Sequence, residues 1–256
     1  MISKSTIKLI KSLAIKKYRI KEKLFLVEGD KNVLEVLRSK YIVKQLFATD
    51  TFLSGNRGSV INAELIIELT TEEIKKASLQ QNPQNCLAIC KLPSTPRLPN
   101  KLERNLSLYL DGIQDPGNLG TIIRICDWFG IDHLFCSPET SDLYNPKVLQ
   151  ASMGSFCRVK VWYTAFEPVA GLAKNSNIPV YGTFLKGRNI YTENLPGKAM
   201  LVVGNEGNGI SATIEKSIKN KITIPNLALS NIGAESLNVS VATGIICAEF
   251  KRQSLF

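Results

Sequence analysis

The 256-residue sequence predicts an α/β protein with a mainly parallel sheet, preceded by a small α/β domain. Three observations support this class. Short apolar runs, typical of strands, alternate with amphipathic stretches that are typical of helices. A proline-containing stretch from residue 92 to residue 105 interrupts the alternation. Beyond it, strand and helix alternate to the end, which favours parallel strands that are buried on both faces of the sheet.

Residues 1–95 are predicted to form the small domain. A basic helix is expected over residues 3–17, and its inward face is expected to contain Ile7, Ile10, Leu13 and Ala14. A later helix begins at Thr70 or Thr71, because acidic residues occupy the first turn that would follow. The remaining elements are strands at 23–28, 42–48, 63–69 and 86–91 and a helix at 32–39.

Residues 96–105 are predicted to be a linker, since prolines recur there without apolar periodicity. The second domain is expected over residues 106–256. Its strands are expected at 106–111, 131–136, 158–163, 178–184, 199–203 and 221–224. Its helices are expected at 119–129, 166–174 and 210–220, with two more that begin at 145–146 and at 238.

The formal net charge of +10 is concentrated near the amino terminus, where residues 1–50 hold twelve Lys or Arg and five Asp or Glu. Such a surface attracts polyanions through phosphate contacts and counterion release. The lysines lack the broad apolar face that membrane-binding helices need, so nucleic acid is the preferred partner. A solvated basic helix without a partner is the alternative.

Composition excludes several classes of protein. No apolar run is long enough for a membrane span, and the amino terminus lacks the apolar centre of a signal peptide, so a cytoplasmic protein is expected. The six cysteines show no close metal-ligand spacing, and His133 is the single histidine. We therefore expect no metal and no histidine-dependent catalytic triad.

The glycine-rich stretch Gly204–Gly209 follows an apolar strand. Its glycines are spaced in the reverse order to a dinucleotide-binding loop, and the carboxylate of Glu206 would repel a phosphate. A neutral or cationic ligand fits this loop better. A surface turn that uses glycine for its backbone freedom is the alternative.

Two polar residues, Ser236 and Asn238, flank Leu237 just before the last predicted helix. In an extended turn the two polar side chains point one way and the leucine the other. Either polar residue could also cap the helix, but capping requires only one of them. The pair is therefore weak evidence for a site.

An arginine near the start of the helix predicted at 119–129 is unfavourable to the helix dipole, so Arg124 needs another reason to be there. An ion pair with Asp127 or Asp111 is the structural explanation. A role in a site is the functional one.

Three segments together resemble the motifs of the SpoU/TrmH family of RNA ribose 2'-O-methyltransferases, within the SPOUT class. They are Asp111–Arg124, Gly204–Gly209 and Ile224–Pro225 with Glu235–Ala242. The resemblance covers residues 106–250 well and the first hundred residues only at the level of pattern. The sequence departs from the family pattern at one place. The two parts of the third motif usually lie close together, whereas here residues 226–234 separate them, so the resemblance specifies the cofactor contacts of Ile224 less closely than the others.

The resemblance implies a carboxy-terminal trefoil knot whose loops, around Gly204, Ile224 and Leu237, bind S-adenosylmethionine. It also implies a homodimer. Methyl transfer to a ribose 2'-hydroxyl is implied, with Arg124 as the central group. Arginine stays protonated in proteins, which favours a phosphate and alkoxide clamp over a base. The implied catalytic residues are Asn118, Arg124, Glu206, Ser236 and Asn238.

Ribosomal RNA is the expected substrate, because a separate amino-terminal domain is commoner among the ribosomal RNA enzymes of the family. This domain would bind RNA with its basic residues. Transfer RNA is the alternative substrate. A non-catalytic RNA-binding or ribosome-assembly factor on the same fold is the alternative of a different class.

Overall fold

The computed structural model describes residues 1–102, 106–228 and 235–255. The chain divides into two compact units, of which the first contains Met1–Thr95 with Asp142–Cys157 and the second contains Pro96–Ser141 with Arg158–Phe256. Residues 103–105 of the expected linker and residues 229–234 of the long connection lie outside the described residues. Within the described ranges, no helix has the length and apolar character that a bilayer span requires.

Strands and helices alternate along both units, as the sequence predicts. The strands are β1 (Leu24–Glu28), β2 (Val43–Ala48), β3 (Ile66–Glu68), β4 (Cys86–Lys91), β5 (Ser107–Asp111), β6 (His133–Cys136), β7 (Lys160–Tyr163), β8 (Val180–Asn189), β9 (Met200–Gly204) and β10 (Asn220–Thr223). The helices are α1 (Lys4–Ser12), α2 (Lys16–Glu22), α3 (Asp30–Leu37), α4 (Asp50–Gly55), α5 (Arg57–Val60), α6 (Thr71–Ala77), α7 (Pro116–Trp128), α8 (Pro146–Ser152), α9 (Phe166–Asn175), α10 (Ala212–Glu215) and α11 (Val239–Leu255).

The first unit contains a four-stranded mixed sheet in the order β1-β4-β2-β3. The prediction of one helix over residues 3–17 is wrong, because the chain turns between α1 and α2. That turn places Leu13 in the core and leaves Ala14 exposed. Helix α6 begins at Thr71, as expected, and a capping box precedes it, since Thr70 and Glu73 bond to each other's backbone N–H groups.

Residues 142–157 belong to the first unit, although they follow β6 in sequence. Helix α8 begins as predicted, with Asn145 as its cap and Pro146 at its first position. Two aromatic contacts join this segment to β1 and to the residues just before β2. The Phe25 and Tyr144 ring centroids are 4.7 Å apart, and those of Tyr41 and Phe156 are 5.7 Å apart.

The second unit contains a six-stranded sheet in the order β10-β8-β9-β5-β6-β7, and every pairing in it is parallel. All five residues of β9 are buried, as are the first four of β5. The predicted parallel sheet, covered on both faces, is therefore confirmed.

The central pair of strands brings two of the sequence motifs to one edge of the sheet. Strands β5 and β9 are neighbours, and Asp111 at the end of β5 lies opposite Gly204 at the end of β9. In an open parallel sheet, ligands bind beyond the carboxyl ends of the strands. Helices α7 and α11 pack together beside this edge, with Ile125 close to Gly244.

Candidate active site

The loop that follows β9 is closed by Asn205 and Gly209. Each of these residues accepts a backbone hydrogen bond from the other, with both N–O distances at 2.9 Å. The loop turns back so tightly that a Cβ at position 204 would lie 2.2 Å from the carbonyl carbon of Gly209. Glycine at 204 is therefore required by the close approach of two backbone segments.

Side-chain contacts of Asn205 decide what the loop can bind. Its Oδ1 accepts hydrogen bonds from the backbone N–H groups of Gly207 and Asn208, at 2.9 and 3.1 Å. A phosphate-binding loop needs such N–H groups to point at the ligand, and here they are already bonded. The loop therefore favours a ligand that is not held through its phosphates, as the sequence predicts.

Asn118 connects all three sequence motifs. Its Nδ2 donates to Oε1 of Glu206 at 2.6 Å, and its Oδ1 accepts from Nδ2 of Asn238 at 3.0 Å. The first turn of α7 holds Asn118 in place, because Oδ1 of Asp115 caps the helix by accepting from the Asn118 backbone N–H at 2.7 Å. The three predicted residues therefore form one hydrogen-bonded row.

The other end of the row is fixed by a helix cap. Oδ1 of Asn238 accepts from the backbone N–H groups of Ser240 and Val241 at the start of α11, at 3.0 and 3.3 Å. Because this oxygen already serves the helix, the Asn238 amide nitrogen faces Asn118. The Asn118 oxygen must then face Asn238, which turns its nitrogen towards the Glu206 carboxylate. Asn238 therefore caps the helix with its oxygen and contacts Asn118 with its nitrogen, so the cap does not exclude a role in a site.

Arg124 lies on α7, exposed to solvent. It makes no hydrogen bond or ion pair with any residue in the described ranges. The two acids that offered a structural explanation are bonded elsewhere: Asp127 pairs with Arg158 at 2.8 Å, and Asp111 accepts from the Ser211 N–H at 2.7 Å. The ion-pair explanation is therefore wrong. So is the argument from the helix dipole, because α7 begins at Pro116 and Arg124 lies more than two turns inside it.

The remaining predicted residues lie in the same unit but outside the row. Ser236 is exposed and makes no hydrogen bond to another described residue, and the neighbouring Leu237 is 49 % exposed. Ile224 is half-buried and directly follows β10. An exposed leucine and a hydroxyl without a partner among the described residues leave this part of the site open to a ligand.

Sequence reasoning missed three residues that hold the site together, namely Asp111, Asp115 and Asn205. Asp115 could have been identified, since Asp followed by Pro is a common helix start. The contacts of Asp111 and Asn205 join positions about a hundred residues apart, and no local pattern indicates them.

The parallel sheet and this arrangement of motifs are those of an α/β RNA methyltransferase, and comparison with known proteins gives the family. The chain matches the SpoU rRNA Methylase family over residues 105–248 and the MRM3-like substrate binding domain over residues 4–88. Because the first of these matches spans more than half of the chain, the chain belongs to the SpoU rRNA Methylase family.

Individual relatives agree with this assignment. The 23S rRNA (guanosine(2553)-2'-O)-methyltransferase RlmP of Bacillus subtilis is 32% identical over 239 residues, which are 92% of each chain. A solved structure from Porphyromonas gingivalis, assigned to the TrmH family of RNA methyltransferases, is 40% identical, with a TM-score of 0.84 over 99% of this chain and 100% of that one. An AdoMet-bound rRNA methyltransferase from Sinorhizobium meliloti is 27% identical, with a TM-score of 0.84 over 98% and 97%.

Proposed function

We propose that this protein transfers a methyl group from S-adenosylmethionine to a ribose 2'-hydroxyl of ribosomal RNA. The observation that carries the proposal is the row in which Asn118 bonds both Glu206 and Asn238. Residues from three distant motifs meet there, beyond the carboxyl ends of β5 and β9. No packing requirement explains an exposed row of this kind, whereas a shared site does.

The loop chemistry agrees with S-adenosylmethionine as the cofactor. This cofactor supplies an activated methyl group on a cationic sulfonium and carries no phosphate. Glu206 is exposed in a loop whose central amides are already bonded, so the loop offers a carboxylate rather than a phosphate cradle. We assign cofactor contacts to Gly204, Ile224 and Leu237, where the half-exposed leucine gives an apolar surface for an adenosine.

Arg124 is assigned to the RNA. Its guanidinium is exposed and unpaired among the described residues, so it can hold a phosphate next to the target ribose through two parallel hydrogen bonds. The same positive charge stabilises the alkoxide that develops as the 2'-hydroxyl loses its proton. Arg124 acts as a clamp and not as a base, since a guanidinium keeps its proton. Ser236, the remaining motif residue, contributes a hydroxyl that orients the RNA.

Residues 1–95 are proposed to bind RNA through their basic surface, and residues 106–256 to carry out the transfer. The 23S rRNA is the first substrate to test, because the Bacillus subtilis relative named for that substrate matches nearly the whole chain. Since ribosomal RNA is the substrate, we expect the protein to act in the cytoplasm.

A homodimer is also proposed. Helices α7 and α11 lie side by side, and each exposes a large apolar residue: Trp128 is 84 % exposed and Val241 is 51 % exposed. Exposed apolar residues on adjacent helices, and an exposed tryptophan in particular, are typical of protein interfaces. A second copy of the chain is the occupant that covers both helices.

The function is tested by incubating the protein with tritium-labelled S-adenosylmethionine and with either unmodified ribosomal RNA or unmodified transfer RNA. Label is expected in ribosomal RNA, in a nucleoside that resists alkaline cleavage because its 2'-oxygen is methylated. Label in transfer RNA alone would assign the other substrate. Binding of ribosomal RNA without any transfer of label would indicate an assembly factor instead.

A further inference from the structure

The side chain of Asn205 makes three hydrogen bonds, and the proposed function assigns this residue no role. Oδ1 accepts from the backbone N–H groups of Gly207 and Asn208, within the loop. Nδ2 donates to the carbonyl oxygen of Gly112 at 2.7 Å, across to the turn that follows β5. One amide therefore closes the loop and also ties it to the segment that leads into α7.

The loop is tied to the same strand at its other end. The backbone N–H of Ser211 donates to Oδ2 of Asp111, the last residue of β5. Residues 205–211 are consequently fixed to the carboxyl end of β5 at two points. Glu206 lies between these two points, on the loop that they hold.

From this geometry we propose that Asn205 is a positioning residue for methyl transfer, which holds Glu206 against Asn118 by clamping the loop to the end of β5. Only an amide can perform this task. An aspartate would keep the acceptor for the loop N–H groups but would place a second oxygen against the Gly112 carbonyl. An alanine would leave two loop N–H groups without their partner.

The catalytic half of this inference rests on the proposed function, whereas its structural half does not. Amide hydrogen exchange tests the structural half in the absence of RNA. In Asn205→Ala the backbone N–H groups of residues 207 and 208 are expected to exchange at least about tenfold faster, because they lose their acceptor. Asn208→Ala is the matched control, since it keeps its backbone N–H and the Asn205 side chain. Unchanged exchange in Asn205→Ala would overturn the proposal.

A double-mutant cycle tests the catalytic half, by measuring kcat at saturating cofactor and RNA. Asn205→Ala alone is expected to lower kcat by about ten- to a hundredfold, with RNA affinity unchanged, because a small misplacement of a reacting group is costly. In a Glu206→Ala background, Asn205→Ala should lower kcat by less than about twofold, because the carboxylate that Asn205 positions is already absent.

If the kcat losses of Asn205→Ala and Glu206→Ala multiply in the double variant, the positioning role is contradicted. A kcat of Asn208→Ala as low as that of Asn205→Ala would also contradict it. Asn205→Asp should remain impaired in kcat while the two loop N–H groups stay protected. If the unaltered protein transfers no methyl group to any RNA, the proposed function fails, and the exchange measurement alone still decides whether Asn205 holds the loop.

Discussion

Asn238 donates its side-chain amide to Oδ1 of Asn118, 3.0 Å away and 120 positions earlier in the chain. The backbone N–H of Ser240 at the start of α11 donates to the Asn238 oxygen and so fixes the orientation of this side chain. Asn118 is held in the first turn of α7, where its backbone N–H donates to the capping residue Asp115. Two helix starts therefore define the direction of the hydrogen bonds that end at Glu206. The proposed site is built from helix caps, which hold polar side chains rigidly at low cost.

Replacing Asn118 should abolish most of the activity with little loss of stability. Asn118→Ala removes both contacts of the row, and Asn118→Asp places a second carboxylate against Glu206. Because Asn118 is only half-buried and its partners Glu206 and Asn238 are exposed, neither change creates a buried unpaired group. We expect kcat to fall by about a hundredfold in both variants. A melting temperature and an activity that fall together would instead assign Asn118 a structural role.

Replacing Arg124 should separate methyl transfer from cofactor binding. Arg124→Ala is expected to lose about a thousandfold in transfer, because one charged donor at a developing oxyanion has an effect of this order. Arg124→Lys restores the charge without the planar fork and should recover only part of the rate. Isothermal titration should show unchanged affinity for S-adenosylmethionine in both variants. Loss of cofactor binding would make the residue structural.

An apolar-to-charged change at Trp128 should dissociate the proposed dimer. Light scattering of the unaltered protein is expected to give twice the 28.3 kDa mass of the chain. Trp128→Glu should give the monomer mass, because a carboxylate would be buried in the interface without a partner. Ile61→Glu is the control, as that residue lies in the first unit and is also largely exposed, at 75 %. A monomeric unaltered protein would refute the homodimer.

The ion pair between Arg19 and Asp142 is expected to stabilise the first unit. Arg19 is only 2 % exposed, and its Nη2 lies 2.5 Å from the Asp142 carboxylate. Asp142→Ala leaves a buried guanidinium without its anion, so we expect the free energy of unfolding, measured with denaturant, to fall by about 3 kcal/mol. Glu64→Ala removes the exposed pair with Lys91 and should cost less than about 1 kcal/mol. Equal effects in the two variants would contradict this assignment.

Glu249 should make stability depend on acidic pH. The hydrogen bonds from Arg252, and then that from Gln253, lower the pKa of this carboxyl from 4.5 to about 2. Since the folded pKa lies below the unfolded one, the stabilisation is complete above pH 4.5 and is lost as the pH falls towards 2.

The melting temperature of Glu249→Gln is therefore expected to lie below that of the unaltered protein at neutral pH, and the difference should narrow between pH 4.5 and 2. Glu72→Gln is the control, because Glu72 pairs with Lys75 on an exposed helix surface. A difference that does not change with pH would mean that Glu249 acts through packing alone.

The sequence predicts the sheet better than the details of the helices. Strand β4 has the limits predicted for it, 86–91, because its five buried residues end at an exposed lysine. Helix α10 spans only Ala212–Glu215 where a helix over 210–220 was expected, and α4 and α5 were not predicted. Short helices depend on caps and on packing more than on periodicity.

Motif spacing identified the residues of the row but not how they are held. The bonds of Asn205 to Gly112 and of Asp111 to Ser211 depend on β5 and β9 being neighbours, which no local pattern specifies. The packing of residues 142–157 into the first unit is non-local for the same reason. The trefoil knot, which only the family resemblance implied, stays a prediction.

The most direct test of the central claim is a crystal structure of the protein with S-adenosylhomocysteine, the demethylated product of the cofactor. We predict density for the ligand against the 204–209 loop, Ile224 and Leu237, with its sulfur directed towards the side of the site where Arg124 lies. Density at another place in the chain, or none at a saturating concentration, would contradict the account.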